Sequence, residues 1–405
     1  MDWFRRSIAV KPDNPEAHKN LGVALKSVGQ ADDAIAAYRQ AISIKPDYAE
    51  AHKNLGDLLH AKGNFEEANE AFRQAILIMP SYAEAHSNLG NVLFDKRDYD
   101  GAIAAYRDAL QLAPSFAAVW KNLGVALEAK GQPEQAIAAY QRSVELRPDN
   151  ADAFANLGHV LRELGRIAEA IAAYRKATEL KPDSPDWRHV LAALTGDSLP
   201  TGTPSSYLRK LFDSYADEFD THLVEKLGYH VPEQLLGAVL AVAPGRRFDI
   251  LDLGCGTGLC GVQFRPHART LSGVDLSPAM LAKAAARGIY DKLATGDIAE
   301  AMRDWENCFD LILAGDLFVY VGDLDGVFHS AARVLRRDGL LAFSLERYDG
   351  EGFVLHSQIR FSHSLDYVRR LARTHRLAEL HTQEITVRKS GAAPVAGWLV
   401  VLKAT

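Results

Sequence analysis

Asp252-Leu253-Gly254-Cys255-Gly256-Thr257-Gly258 closes the apolar run Phe248 to Leu253, so a buried strand leads straight into three alternating glycines. Glycine adopts backbone conformations that side chains forbid and lets a ligand come close to the main chain. A strand, a glycine turn and a helix open a doubly wound sheet, whose ligands collect in the crevice beyond the strand ends. Downstream, apolar runs at Thr270 to Leu276, Lys292 to Gly296, Phe309 to Ala314 and Gly339 to Leu345 alternate with helical patterns at Pro278 to Arg287 and Leu324 to Leu335. That alternation predicts a mainly parallel α/β sheet. Glu384 to Arg388 and Gly397 to Leu402 are joined only by KSGAAPVA, too short for a helical crossover, and are expected to form an antiparallel edge hairpin. Two helical stretches, about Tyr207 to Lys226 and Pro232 to Val242, precede the glycine loop.

Upstream the pattern changes. Leu-Gly recurs at Leu21-Gly22, Leu55-Gly56, Leu89-Gly90, Leu123-Gly124 and Leu157-Gly158, a constant step of 34 residues. Ala34, Tyr38 and Pro46 start three further series with the same step. The pattern resembles the tetratricopeptide repeat, an all-α solenoid of antiparallel helix pairs. Small residues such as Gly22 and Ala34 suit close helix approach, Tyr38 is expected between repeats, and Pro46 ends a second helix. Five repeats start near Pro15, Ala49, Ala83, Ala117 and Ala151. Residues 1–14 read as a half repeat, and Trp187 to Leu194 as a cap, giving a solenoid over 1–195. The Gly/Pro/Ser/Thr-rich segment 196–206 reads as a linker, and 207–405 as the second domain.

The chain of 405 residues is 48% hydrophobic and 24% charged with a formal net charge of -6, which disfavours a nucleic-acid partner. Its cysteines, Cys255, Cys260 and Cys308, lack the CxxC spacing of a zinc or redox site, so no metal is expected. No apolar window spans a bilayer, and a cytoplasmic protein without a membrane partner is the expectation.

Around the glycine loop, the segment from Tyr207 onward resembles class I S-adenosylmethionine-dependent methyltransferases. The resemblance implies that Asp252, Gly254, Cys255, Gly256 and Gly258 hold the methionyl part of S-adenosylmethionine. Asp275 ends strand two in GVDLS, where the family's acid accepts bonds from both ribose hydroxyls, with Leu276 beside it. Asp297, in TGDI, corresponds to the acid that meets the adenine amino group, with Ile298 near the ring. Equally, Asp297 and Glu300 have capping-box spacing, and both roles are compatible. Ala314 and Tyr215 complete the expected cofactor set. Phe212, Tyr215, Phe219 and His222 are candidate lid residues, or else the apolar face of a helix buried on the sheet. Gly256, Gly258 and Gly261 also satisfy GxGxxG, which leaves a nicotinamide-dependent oxidoreductase as a minor alternative.

Methyl transfer is an in-line displacement that alignment accelerates, so a general base is optional. Gly315-Asp316-Leu317-Phe318-Val319-Tyr320 departs from the Asn-Pro-Pro-Tyr of enzymes that methylate amide or ring nitrogens. Asp316 is a candidate base, an amine-orienting group or a loop-bonding residue. His363 is the preferred base, because histidine titrates near neutrality. Arg360 either binds an anionic acceptor or pairs with Asp366 or Glu346. In the repeats, Asn20, Asn54, Asn88, Asn122 and Asn156 form a ladder on the first helices, with amides suited to an extended peptide, as in the solenoid of the O-linked N-acetylglucosamine transferase that the array resembles. His18, His52 and His86 share a position with Trp120 and Phe154 and read as packing residues. The expected function is methylation of a protein or peptide acceptor recruited by the repeats. The alternatives are a small-molecule acceptor with repeats for assembly, and a binding protein with a non-catalytic methyltransferase-like domain. The whole chain looks like the bacterial group of predicted methyltransferases containing tetratricopeptide repeats.

Overall fold

The computed structural model describes residues 2–390 and 393–405, so the turn of the edge hairpin through Gly391 and Ala392 lies outside the described residues, as does Met1 of the half repeat. The chain divides into two compact units, Met1–Asp183 and Ser184–Thr405. The first unit is a helical solenoid. First helices run over Pro15–Ser27, Ala49–Ala61, Ala83–Asp95, Ala117–Ala129 and Ala151–Glu163, starting at the residues where the 34-residue step places them. Their partners are Ala31–Ile44, Phe65–Ile78, Tyr99–Leu112, Pro133–Leu146 and Ile167–Leu180.

Within each repeat the glycine faces the aromatic ring of its own second helix. A Cβ on Gly22 would lie 2.6 Å from Tyr38 Cε1, and the pairs Gly56/Phe72, Gly90/Tyr106, Gly124/Tyr140 and Gly158/Tyr174 repeat the arrangement. The aromatics therefore fill the helix pair itself. The histidines do more than pack. His18, His52 and His86 Nε2 lie 2.8, 2.9 and 3.0 Å from the carbonyls of Pro12, Pro46 and Pro80, and Trp120 Nε1 donates to Pro114 at 2.8 Å. Each ring N–H thus ties a repeat to the proline that ends the preceding helix.

The second unit is a seven-stranded α/β sheet. In chain order its strands are β1 Phe248–Leu253, β2 Ala268–Asp275, β3 Lys292–Thr295, β4 Phe309–Ala314 and β5 Leu335–Glu346, followed by a two-stranded ribbon, β6 Phe353–Leu355 and β7 Phe361–His363, and then β8 Leu377–Ser390 and β9 Ala393–Ala404. The sheet order is β3-β2-β1-β4-β5-β9-β8, with β1 to β5 parallel and β9 antiparallel to both neighbours. β8 is far longer than expected and carries register shifts at Glu379/His381 and Thr386/Arg388. Strand residues alternate between two cores: Leu251, Leu253 and Ile312 face one, while Ile250, Leu311 and Leu313 face the other. The sheet order reverses between β1 and β4, which sets the glycine loop after β1 at the switch point.

Two expectations about the junction change. The helix Pro185–Thr195, expected to cap the array, groups with the second unit, where Lys210 Nζ meets Asp186 at 2.9 Å and the His189 ring packs near Tyr207 and Phe361. The segment expected as a free linker is also bonded: Thr203 N donates to Tyr320 O and Gly322 N to Thr201 O, both at 2.9 Å. The long helix expected over Tyr207 to Lys226 is broken into an α-helix, Ser205–Tyr215, and a π-helical turn, Thr221–Lys226.

Candidate functional site

Beyond β1 the three glycines at 254, 256 and 258 all have positive φ, 62°, 52° and 95°. At Gly254 the positive φ disfavours a side chain, and a Cβ would also lie 2.8 Å from Leu317 Cδ1. Cys255 N donates to Val274 O at 3.0 Å and anchors the loop to β2. Asp275 closes the turn: its Oδ2 accepts from Gly256 N and its Oδ1 from Ser277 N, each at 2.8 Å. A carboxylate has about four acceptor sites, so roughly two remain for a ligand. Burial raises the Asp275 pKa, and those backbone N–H groups oppose the rise. Asp252 is 1% exposed and accepts a bond of 2.7 Å from Tyr290 OH; burial pushes its pKa up to about 7.

These groups line a cavity of about 450 Å³, a size suited to a nucleoside-scale ligand. One wall comes from the segment before the core: Phe212, Tyr215, Phe219 and His222 all line the cavity. Acids on the same segment hold it over the loop. Ser277 Oγ donates to Asp213 at 2.5 Å, Lys283 meets Asp217 at 2.7 Å, and Thr257 Oγ1 and Arg287 both donate to Asp220. The aromatics stack edge to face, Phe212 on Tyr320 and Tyr215 on Phe219 and His222. The same aromatics that line the cavity include Phe219, which also packs on the sheet core.

The opposite wall is charged. Asp316 has φ 54° and its backbone N accepts a fixed place by donating to Ser344 Oγ at 2.9 Å. Arg360 donates to both Asp316 oxygens at 3.0 and 3.1 Å, to Tyr320 OH at 3.0 Å and to Glu346 at 2.8 Å, and Arg388 donates to Glu346 at 2.6 Å. Of the two pairings considered for Arg360, that with Glu346 is the one present. These neighbouring acids hold its pKa above the usual arginine range despite burial.

His363 does not join the site. It lies on β7, 0% exposed, with Nε2 2.9 Å from Gly322 O and its ring between Phe353 and Tyr367. Burial lowers its pKa to about 4, and it does not line the cavity. The expectation that it acts as base is thus corrected: on a short buried strand the imidazole serves packing and one loop bond.

Other expected residues sit beside the cavity. Asp297 caps the turn Ile298–Ala301 by accepting from Ala299 N at 2.9 Å, while Gly296 N bonds Asp275 O and brings the two acids to one sheet edge. Leu276, Asp297, Ile298, Gly258 and Ala314 are outside the lining, Ala314 being fully buried in β4 and Ile298 packed on the core. Tyr229, Met280 and Arg388 line the cavity without having been expected. The inward aim of Arg388 follows from its register in the hairpin, opposite Val395, which no local motif records.

In the solenoid, the five Asn residues are half-buried and two are tied to the preceding repeat. Asn88 Nδ2 donates to Asp57 at 2.8 Å and Asn122 Nδ2 to Asn91 Oδ1 at 3.0 Å. No partner of this kind is available where the facing position is Val23 or Val125.

Residues 250–339 match the family of methyltransferase domains, and 24–63, 56–97, 87–150 and 121–185 match tetratricopeptide repeats. The chain is 31% identical over 138 residues to the biotin biosynthesis bifunctional protein BioHC of Saccharophagus degradans, across 33% of this chain and 24% of that one. It is 33% identical to the malonyl-[acyl-carrier protein] O-methyltransferase of Acetivibrio thermocellus, across 29% and 40%. It is 26% identical to the probable S-adenosylmethionine-dependent methyltransferase CRG1 of Saccharomyces cerevisiae, across 34% and 47%. The chain thus spans less than half the length of these relatives. Among the described residues no helix is long and apolar enough to cross a membrane.

Proposed function

We propose that this chain, which joins tetratricopeptide repeats to a methyltransferase domain, binds S-adenosylmethionine and methylates a protein or peptide that the repeats recruit. The observation that carries the cofactor reading is Asp275, a buried carboxylate held by two loop N–H groups at the edge of the cavity with acceptor capacity left for a diol. The glycine loop, with its positive φ at Gly254, Gly256 and Gly258, takes the methionyl end, and Asp252 faces its ammonium. When bound, S-adenosylmethionine supplies an electrophilic methyl group on a sulfonium. The lid aromatics exclude water from the transfer, and the Asp316–Arg360–Tyr320 wall orients the acceptor's nucleophilic atom. With His363 excluded, Asp316 is the carboxylate at that wall, and its two bonds from Arg360 suit it to orienting the acceptor. In the repeats, Asn20, Asn54, Asn88, Asn122 and Asn156 offer amides to a peptide backbone, with Asn88 and Asn122 stiffened by the preceding repeat.

Calorimetry with S-adenosylmethionine and S-adenosylhomocysteine tests the cofactor reading. The parent is expected to bind both, and Asp275→Ala to bind at least about tenfold more weakly, since a hydrogen bond to a charged group contributes about 1.5–3 kcal/mol. No binding by the parent sinks the proposal. Recruitment is tested by label transfer from methyl-tritiated cofactor into a lysate, comparing the parent with Asn54→Ala/Asn88→Ala/Asn122→Ala. Label in protein, reduced in the variant, supports recruitment; equal labelling of small molecules by both removes it.

A further inference from the structure

We infer that the solenoid carries a docking site apart from the asparagine ladder, a cleft in the third and fourth repeats that binds an acidic segment of a partner protein through a bulky apolar side chain. The second helices Tyr99–Leu112 and Pro133–Leu146 flank a cavity of about 630 Å³, with the first helix Ala117–Ala129 between them. Asn122 of the ladder is not part of its lining. Leu123 and Leu127 do line it although only 4% and 2% exposed, so the cleft reaches down to core side chains. Trp120 adds an aromatic wall. Its Nε1 is spent on Pro114 O, as the histidine nitrogens are on prolines in earlier repeats, which leaves the apolar ring to the cleft.

The rim of the cleft is positively charged. Arg107, Gln135 and Arg142 stand on it, and the described residues that line it include no acid. The 34-residue step places equivalent rims at the other repeat junctions, where each cation is matched by one acid. The first of these has Arg39, Glu67 and Gln74, the second Arg73, Gly101 and Asp108, and the last Gln141, Glu169 and Lys176. Arg39 donates to Glu67 at 2.7 Å, whereas Arg107 meets the neutral Gln135, at 3.2 Å. Arg142 does pair with Glu145 at 2.8 Å, but both side chains are exposed and such surface pairs are weak. A guanidinium keeps its charge and grips a carboxylate with two N–H groups. Two arginines beside a cleft of Trp and Leu therefore complement a segment in which Leu, Ile or Phe adjoins Asp or Glu. Trp and Arg are also the residue types that carry much of the binding energy at interfaces.

The test selects random phage-displayed peptides on the immobilised full chain and measures the enriched peptides by fluorescence anisotropy. Trp120→His and Arg142→Gln install the residues that His52 and Gln74 already supply one junction away, so the helices are expected to hold, which circular dichroism checks. Enriched peptides are expected to join an acidic residue to a bulky apolar one and to bind more weakly as salt rises. Each variant should weaken them about fivefold or more, whereas Asn54→Ala/Asn88→Ala/Asn122→Ala should leave them unchanged. Replacing the peptide's acids by lysine should abolish binding to the parent, a readout that needs no variant to fold. Equal binding of the lysine peptide overturns the inference. So does a selection that enriches nothing or enriches peptides without acids, and so do peptides lost in the asparagine variant but kept by Trp120→His and Arg142→Gln.

Discussion

A carboxyl group sealed from water beside another acid holds its proton to unusually high pH. Asp252 is such a group, 1% exposed and pushed up to about 7, chiefly by burial, with Asp275 adding to the rise and the Tyr290 hydroxyl opposing it. An unfolded Asp has a pKa of about 3.9. Below that value both states are protonated and the folded state bears no penalty. Between about pH 4 and pH 7 the unfolded chain releases its proton while the folded one retains it, so stability falls as pH rises, and the loss levels off above about pH 7. Each unit is worth about 1.4 kcal/mol, so the loss reaches up to about 4 kcal/mol. Thermal unfolding without cofactor between pH 4.5 and 8 checks this: the parent is expected to decline relative to Asp252→Asn across that interval. Parallel curves would show that Asp252 does not titrate with folding. The glycine-loop motif singled out Asp252 in the sequence, whereas residue type alone singled out His363. What separated them was burial against a cavity versus burial in a core, which depends on strands far apart in the chain and leaves no local trace in Arg360 to Ser364.

At the scale of elements, the helix pair is the unit that repeats, and its lock is the glycine–aromatic contact. At Gly124 an added Cβ would lie 2.5 Å from Tyr140 Cε1, and that ring is pinned by its hydroxyl's 3.0 Å bond to Glu128. Gly124→Ala gains roughly 1 kcal/mol of helix propensity, but overpacking a tight contact costs about 1–3 kcal/mol. A net loss of stability is expected in urea unfolding, and Tyr140→Leu in the same chain should relieve it, so that the double variant loses less than the sum of the two single losses. Additive losses would place the strain elsewhere. The repeats were legible because each helix pair packs on itself and its neighbours, so a fixed period writes the contacts into the sequence. The break after Tyr215 was not: YADEFD contains neither Gly nor Pro, and the apolar periodicity runs on through it. The β6–β7 ribbon was missed for a related reason, since three-residue strands carry too little alternation to detect.

At the scale of the molecule, two compact units with separate cores imply separate responses to a ligand. S-adenosylhomocysteine at about 100 times its Kd should stabilise the unit that binds it by about 2.7 kcal/mol. In hydrogen-exchange mass spectrometry, protection is expected to rise in β1, β2 and the Ser205–Lys226 segment, with the repeats unchanged. Protection gained throughout the solenoid would refute that separation. The change of period near residue 200 was visible in the sequence; the assignment of Pro185–Thr195 to the second unit was not, because Asp186 and His189 find partners only in the folded chain.

The antiparallel hairpin that ends the sheet has a consequence for colloidal behaviour. One edge of the sheet, β3, is only four residues long, whereas the other, β8, runs for fourteen and would be an inviting template for strand addition by another molecule. Its two register shifts interrupt the ladder, and Glu379, Glu384, Arg388 and Lys389 place charge along it. Bulges twist an edge away from flatness and charges resist desolvation, both of which discourage β-type aggregation. The long strand that carries Arg388 into the cavity thus stays compatible with a protein that remains dispersed at high concentration.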